Sequence, residues 1–106
     1  MQKKADVEAM VVSDHANLDS ITVFWQDFGP GSGQVTIYCW GEAWTSYWGG
    51  MDKDTIKSFF AKASAEYLIH KLQGAQFQKR NKQHDKYLER IIAAIKQELA
   101  VETAAP

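Results

Sequence analysis

The chain has one cysteine, Cys39, so no disulfide can form within it, and its thiol content gives no sign of an oxidising compartment. Long apolar runs are also missing. The longest are a few residues, far short of the roughly 18 that a membrane span needs. The N-terminus, Met1-Gln2-Lys3-Lys4-Ala5-Asp6, lacks the apolar core of a signal peptide. These absences predict a soluble protein that stays in the cytoplasm. An excess of one charge is absent too: 12 Lys+Arg face 13 Asp+Glu, a net charge of −1. That balance excludes a polybasic nucleic-acid tail and a strongly acidic mimic of DNA, and a hydrophobic fraction of 45 % excludes a disordered chain. No internal repeat and no low-complexity tract is visible. Between Lys4 and Met51 there is no Lys or Arg at all.

What is present fits one domain of 106 residues, long enough to bury roughly 65 % of its unfolded surface. The chain divides near Gly49-Gly50, with strand-like sequence before and helix-like sequence after, which argues for an α+β fold. Ser20–Asp27 and Gln34–Trp40 are rich in β-branched and aromatic residues, and Phe28-Gly29-Pro30-Gly31-Ser32-Gly33 between them is a dense turn signal. Gly41-Glu42 suits a type II′ turn into a third strand, Ala43–Trp48. The alternative is one strand over 34–48 bent at Gly41. Val7–Val12 reads as a fourth strand or a short helix. The expected architecture is therefore an antiparallel sheet of three strands, or four, over residues 20–50. Two or three helices packed on one face follow it.

Asp52 or Asp54 is expected to cap a helix over 52–73, with apolar spacing through Ile56, Phe59, Phe60, Ala63, Tyr67, Leu68 and Leu72 and a stop at Gly74. Ser64 is a candidate break within it. Residues 75–82 read as a connector. A second helix over 81–100 carries a clean stripe of Tyr87, Leu88, Ile91, Ile92, Ile95 and Leu99, and residues 101–106 read as a frayed tail. Residues 1–19 are assigned no structure beyond the choice at Val7–Val12.

Side chains alternate across a strand, so each strand has two faces. Val35, Ile37 and Cys39 oppose Thr36, Tyr38 and Trp40; Ile21, Val23 and Trp25 oppose Phe24 and Phe28; Trp44 and Trp48 oppose Ala43 and Tyr47. Neither face is polar, yet two helices cover only one. The N-terminal segment, a second copy of the chain, or a foreign protein or nucleic acid are the three candidates for the other. Trp40, Trp44, Tyr47 and Trp48 are the expected contact aromatics. Without interleaved cations, nucleic acid is the less favoured partner for this surface.

The near-neutral charge conceals a split. Residues 1–50 hold two basic and six acidic residues, net −4, and residues 51–106 hold ten basic and seven acidic, net +3. Lys82, Lys86 and Arg90 stand four residues apart on the last helix, opposite its apolar stripe, and form a candidate strip for an acidic partner or a phosphate backbone. Catalytic signatures are not found. The Gly29–Gly33 loop lacks the Gly-Lys-Ser/Thr ending of a phosphate loop. Cys39 sits mid-strand among apolar neighbours, and His15, His70 and His84 show no ligand spacing. Asp27 and Glu42 read as turn chemistry rather than as an acid/base pair. No catalytic residue, metal or cofactor is expected.

The stretch Asp27–Gly41, its continuation Ala43–Met51, then Phe59-Phe60 and Glu66-Tyr67-Leu68, resembles small accessory proteins of tailed phages and prophages over about residues 20–72. The resemblance implies a protein made inside a bacterium that acts by binding a host protein or complex, such as a defence complex or nuclease. A nucleic-acid module using the basic helix is the alternative.

Overall fold

Strand-forming residues precede helix-forming ones, and the structure keeps that order. It is a computed structural model that describes residues 6–15, 18–74 and 82–104, without the side chains of 82–84, 103 and 104. The elements are β1 (Glu8–Val12), β2 (Ile21–Gly29), β3 (Ser32–Cys39), β4 (Glu42–Trp48), α1 (Ile56–Lys62), α2 (Ala65–Gly74) and α3 (Lys82–Ala104). The strands form one antiparallel sheet in the order β1-β2-β3-β4. Among the described residues the architecture is α+β with four strands and three helices. The region 34–48 is two strands, not one bent strand. The stretch at Val7–Val12 is strand β1, added at the edge of β2 with Val12 opposite Ile21 and Glu8 opposite Trp25. Val7–Val12 therefore extends the sheet through β1 instead of folding over its second face.

Both tight turns follow from their residues. Gly29 pairs with Ser32, leaving Pro30 and Gly31 as central residues, with Gly31 at φ +81°, as a type II turn with proline first requires. A side chain at Gly31 would begin 2.0 Å from the Asp52 carbonyl oxygen, because Met51 N donates to Gly31 O at 3.0 Å and docks the post-sheet loop on this turn. In the β3–β4 hairpin Cys39 pairs with Glu42, so the central residues are Trp40 and Gly41, at φ +50° and +82°. Two positive values make it type I′ over Trp40-Gly41, where type II′ over Gly41-Glu42 was expected.

The helix expected over 52–73 starts later and is broken. Thr55, not Asp52 or Asp54, is the cap of α1: its Oγ1 accepts from Ser58 N at 3.2 Å. Asp27 reaches from β2 to accept from Ile56 N at 2.8 Å, so the sheet supplies a second first-turn acceptor. At the break, Ser64 Oγ accepts from Tyr67 N at 3.1 Å and starts α2. Lys96 of α3 donates to Ala63 O there. Helix α3 continues to Ala104, where a frayed tail was expected from 101. The connector 75–81 lies outside the described residues.

The helices cover one side of the sheet. Ile21, Val23, Trp25, Val35, Ile37, Cys39, Trp44 and Trp48 point into the core and meet Phe60, Leu68, Leu72 and the Leu88–Ile91–Ile92–Ile95–Leu99 stripe of α3. Three tryptophans each face an aromatic ring from a helix. Trp25 meets Phe60 edge-on at 5.2 Å, Trp48 meets Phe59 at 5.7 Å and Trp44 meets Tyr87 at 6.4 Å. The placement of Trp44 and Trp48 corrects the expectation that they are contact aromatics. Trp44 is in register with Ile37 and Trp48 with Gly33, both core-facing, so both rings are buried.

Candidate functional site: the uncovered face of the sheet

The register assigns the opposite side of the sheet to three rows. Val11, Thr22, Tyr38 and Ala43 form one, Ala9, Phe24, Thr36 and Thr45 the next, and Gln26, Gln34 and Tyr47 the third. No charged residue occurs in any row. In the first two rows large and small side chains alternate along and across the strands: Val11 beside Ala9, Phe24 beside Thr22, Tyr38 beside Thr36. Nine large apolar side chains are exposed among the described residues; Val11, Phe24, Tyr38 and Tyr47 project from this face. Two more stand at its ends. Phe28 packs on Tyr47 at 5.9 Å beside the β2–β3 turn, and Trp40, 77 % exposed, tips the β3–β4 turn.

Three of the polar side chains between these rings are bonded to one another. Gln34 Nε2 donates to Thr45 Oγ1 at 3.1 Å, and the Thr36 and Thr45 hydroxyls lie 3.0 Å apart. Thr45 Oγ1 also donates to Val35 O at 3.2 Å. Hydroxyls already bonded within the sheet, as those of Thr36 and Thr45 are, can be covered at lower desolvation cost than free ones. Trp40 adds a local cost. A non-glycine residue at φ +50° is held in the left-handed region, at about 1–2 kcal/mol, while its ring faces solvent.

Of the four aromatics expected as contacts, the structure therefore leaves Trp40 and Tyr47 available and buries Trp44 and Trp48. Val11, Phe24, Phe28 and Tyr38 join the surface instead. Period-two alternation was the signal that separates them: Trp44 and Trp48 share one parity in β4 and Tyr47 has the other, although all are neighbours in sequence.

The basic strip is a separate surface on α3. Lys86 and Arg90 are exposed, and Arg90 lies 5.7 Å from the Tyr87 ring centre beside a shallow cleft that also includes Glu89 and Ala93. The Lys82 side chain lies outside the described residues. Tyr87 bridges to the sheet, its hydroxyl 3.3 Å from Cys39 Sγ. Burial, that contact, and the charges of Cys39, Asp19 and Glu42 push the phenol up to about 12. Cys39 is fully buried, with Tyr87 OH and Asp19 O as its polar neighbours. His15 lies 3.4 Å from Glu98 and His70 is exposed. Among the described residues no three His, Cys, Asp or Glu side chains gather as a metal site, and no helix is long and apolar enough to cross a membrane.

A family model described as a phage family matches residues 1–99. The chain belongs to this phage family, Phage_phiTE_072. The match runs past the 20–72 stretch that carried the sequence resemblance and takes in β1 and most of α3. The whole four-stranded sheet of this phage protein, its uncovered face included, thus lies inside the family's span. Nothing matches among curated proteins or among solved structures.

Proposed function

We propose that this phage protein is a non-enzymatic binding protein. It acts in the cytoplasm of the bacterial host, and the uncovered sheet face is its contact surface for a host protein, such as a component of a defence complex or a nuclease. One observation carries the reading: a four-stranded face bearing Phe24, Tyr38 and Tyr47, with Trp40 and Phe28 at its ends, has no charged side chain and no element over it among the described residues. Large exposed aromatics bury much area at little cost in rotamer entropy, which is why they dominate protein contact surfaces. A face without cations is a poor match for a phosphate backbone.

The test is comparative capture from bacterial lysate. A host protein retained by the wild type should be lost from a Phe24→Ala/Tyr38→Ala/Tyr47→Ala variant that remains folded by circular dichroism. Retention of the same protein by that variant would remove the face from the reading. The exposed Lys86 and Arg90 favour a second reading, nucleic-acid binding through α3. It requires a random DNA or RNA probe to bind at low salt, to weaken log-linearly with salt, and to be lost in Lys82→Glu/Lys86→Glu/Arg90→Glu.

A further inference from the structure

We infer that in the free protein the uncovered face is covered by a second copy of the chain, the two sheets packing face to face about a two-fold axis. This rests on the reading that the face is a contact surface and adds how it is occupied before a host partner arrives. Three observations support self-pairing. The first is area. Aromatic side chains offer about 150–250 Å² each when fully buried, so five of them roughly half exposed, with Val11, present roughly 650 Å² of apolar surface. That exceeds the patch of about 300–600 Å² on an ordinary monomer and approaches the roughly 800 Å² per partner of a stable interface. Thr and Gln between the rings add to it.

The second is charge. An isologous interface sets each patch against itself, so any charge on it would meet its own copy. The acidic residues of the strands, Glu8, Asp27 and Glu42, are in register with Trp25, Gly33 and Cys39 on the helix-covered side, and none falls on the open rows. The third is shape and hydrogen bonding. Alternation of large side chains (Val11, Phe24, Tyr38) with Ala and Thr makes projections and recesses that an identical face can fill, as in packed sheets. The Thr36 and Thr45 hydroxyls find partners within the sheet, which lowers the cost of covering them.

Sedimentation and light scattering of the full chain read the outcome directly. The wild type should show twice the 12.0 kDa chain mass, falling toward one chain on dilution. Phe24→Lys and Tyr38→Lys should each give a monomer with an unchanged circular-dichroism spectrum, and Gln97→Lys, on an exposed part of α3, should leave the dimer intact. Amide exchange on the wild type gives a check free of substitutions: protection across Phe24, Thr36, Tyr38 and Thr45 should rise with concentration. A wild type that stays monomeric into the millimolar range overturns the proposal, as does a dimer untouched by both lysine substitutions. A monomeric wild type whose face variants still lose the captured host protein would end the dimer and leave the proposed function standing. A dimer broken by variants that keep that protein would do the reverse.

Discussion

Trp40 and Trp44 differ by four residues and by almost everything else. Trp44 is 2 % exposed against Ile37 and Tyr87, whereas Trp40 is 77 % exposed in a left-handed turn position. Trp44→Ala should cost about 3–5 kcal/mol, the range for deleting a large buried ring. Trp40→Asn should do the opposite. It removes no buried contact and creates Asn-Gly, the sequence a type I′ turn prefers, so stability should rise by about 1 kcal/mol. Urea midpoints decide both, and a Trp40→Asn protein less stable than the wild type would mean that the exposed ring packs against something. Composition and spacing made the four tryptophans legible as a sheet feature. Alternation already set Trp44 and Trp48 opposite Tyr47, but it did not say which of the two sides the helices cover, because that depends on how α1, α2 and α3 pack on the finished sheet.

At the level of elements, the periodic signals were the readable ones. The α3 stripe stands where helical spacing puts it. The β2–β3 hairpin stands where alternation does, although its strands run on to Gly29 and Ser32 and leave the two-residue turn Pro30-Gly31 where a longer Gly-rich loop over 28–33 was expected. Helix starts were less legible, because their partners come from elsewhere in the chain. Asp52 and Asp54 are good caps in isolation, yet α1 takes Thr55 as its cap and borrows Asp27 from β2, a contact that only the folded sheet creates. Ser64, in contrast, was a visible break, and its role is local: Oγ accepts from Tyr67 N, and the new helix holds Leu68 and Leu72 in the core and places Tyr67 OH 3.0 Å from Trp48 Nε1. Ser64→Ala should cost about 1 kcal/mol. Ser64→Asp, which keeps an acceptor and adds charge at the positive helix end, should retain most of the stability. Equal losses in the two variants, measured by thermal unfolding, would show that the break is set by α3 through Lys96 and not by the cap.

Across the whole molecule, the division between an acidic sheet half and a basic helical half becomes a pattern between layers. Acids of the sheet half point toward the helices: Glu8 pairs with Lys57 of α1 at 2.5 Å, Lys57 also holds Glu102 of α3 at 2.8 Å, and Glu42 of β4 and Asp19, just before β2, act on Tyr87. Burial pulls the Lys57 ammonium down, but the hydrogen bonds and charges of Glu102 and Glu8 outweigh it and leave the group raised. Tyr87 is raised to about 12 from an ordinary 10.0. Both groups hold their protons more tightly folded than unfolded, so the unfolded chain releases them first as pH rises. Their contribution is complete below about pH 10 and is lost as pH climbs toward 12. The urea midpoint should therefore be flat from pH 7 to 9 and fall steeply between 10 and 12. Tyr87→Phe starts lower, having lost the contact to Cys39 Sγ, but it has no phenol to ionise beside Asp19 and Glu42. Its curve should fall less and approach that of the wild type near pH 12. Parallel curves would place the alkaline loss in Lys57 and the other lysines and remove Tyr87 from the account.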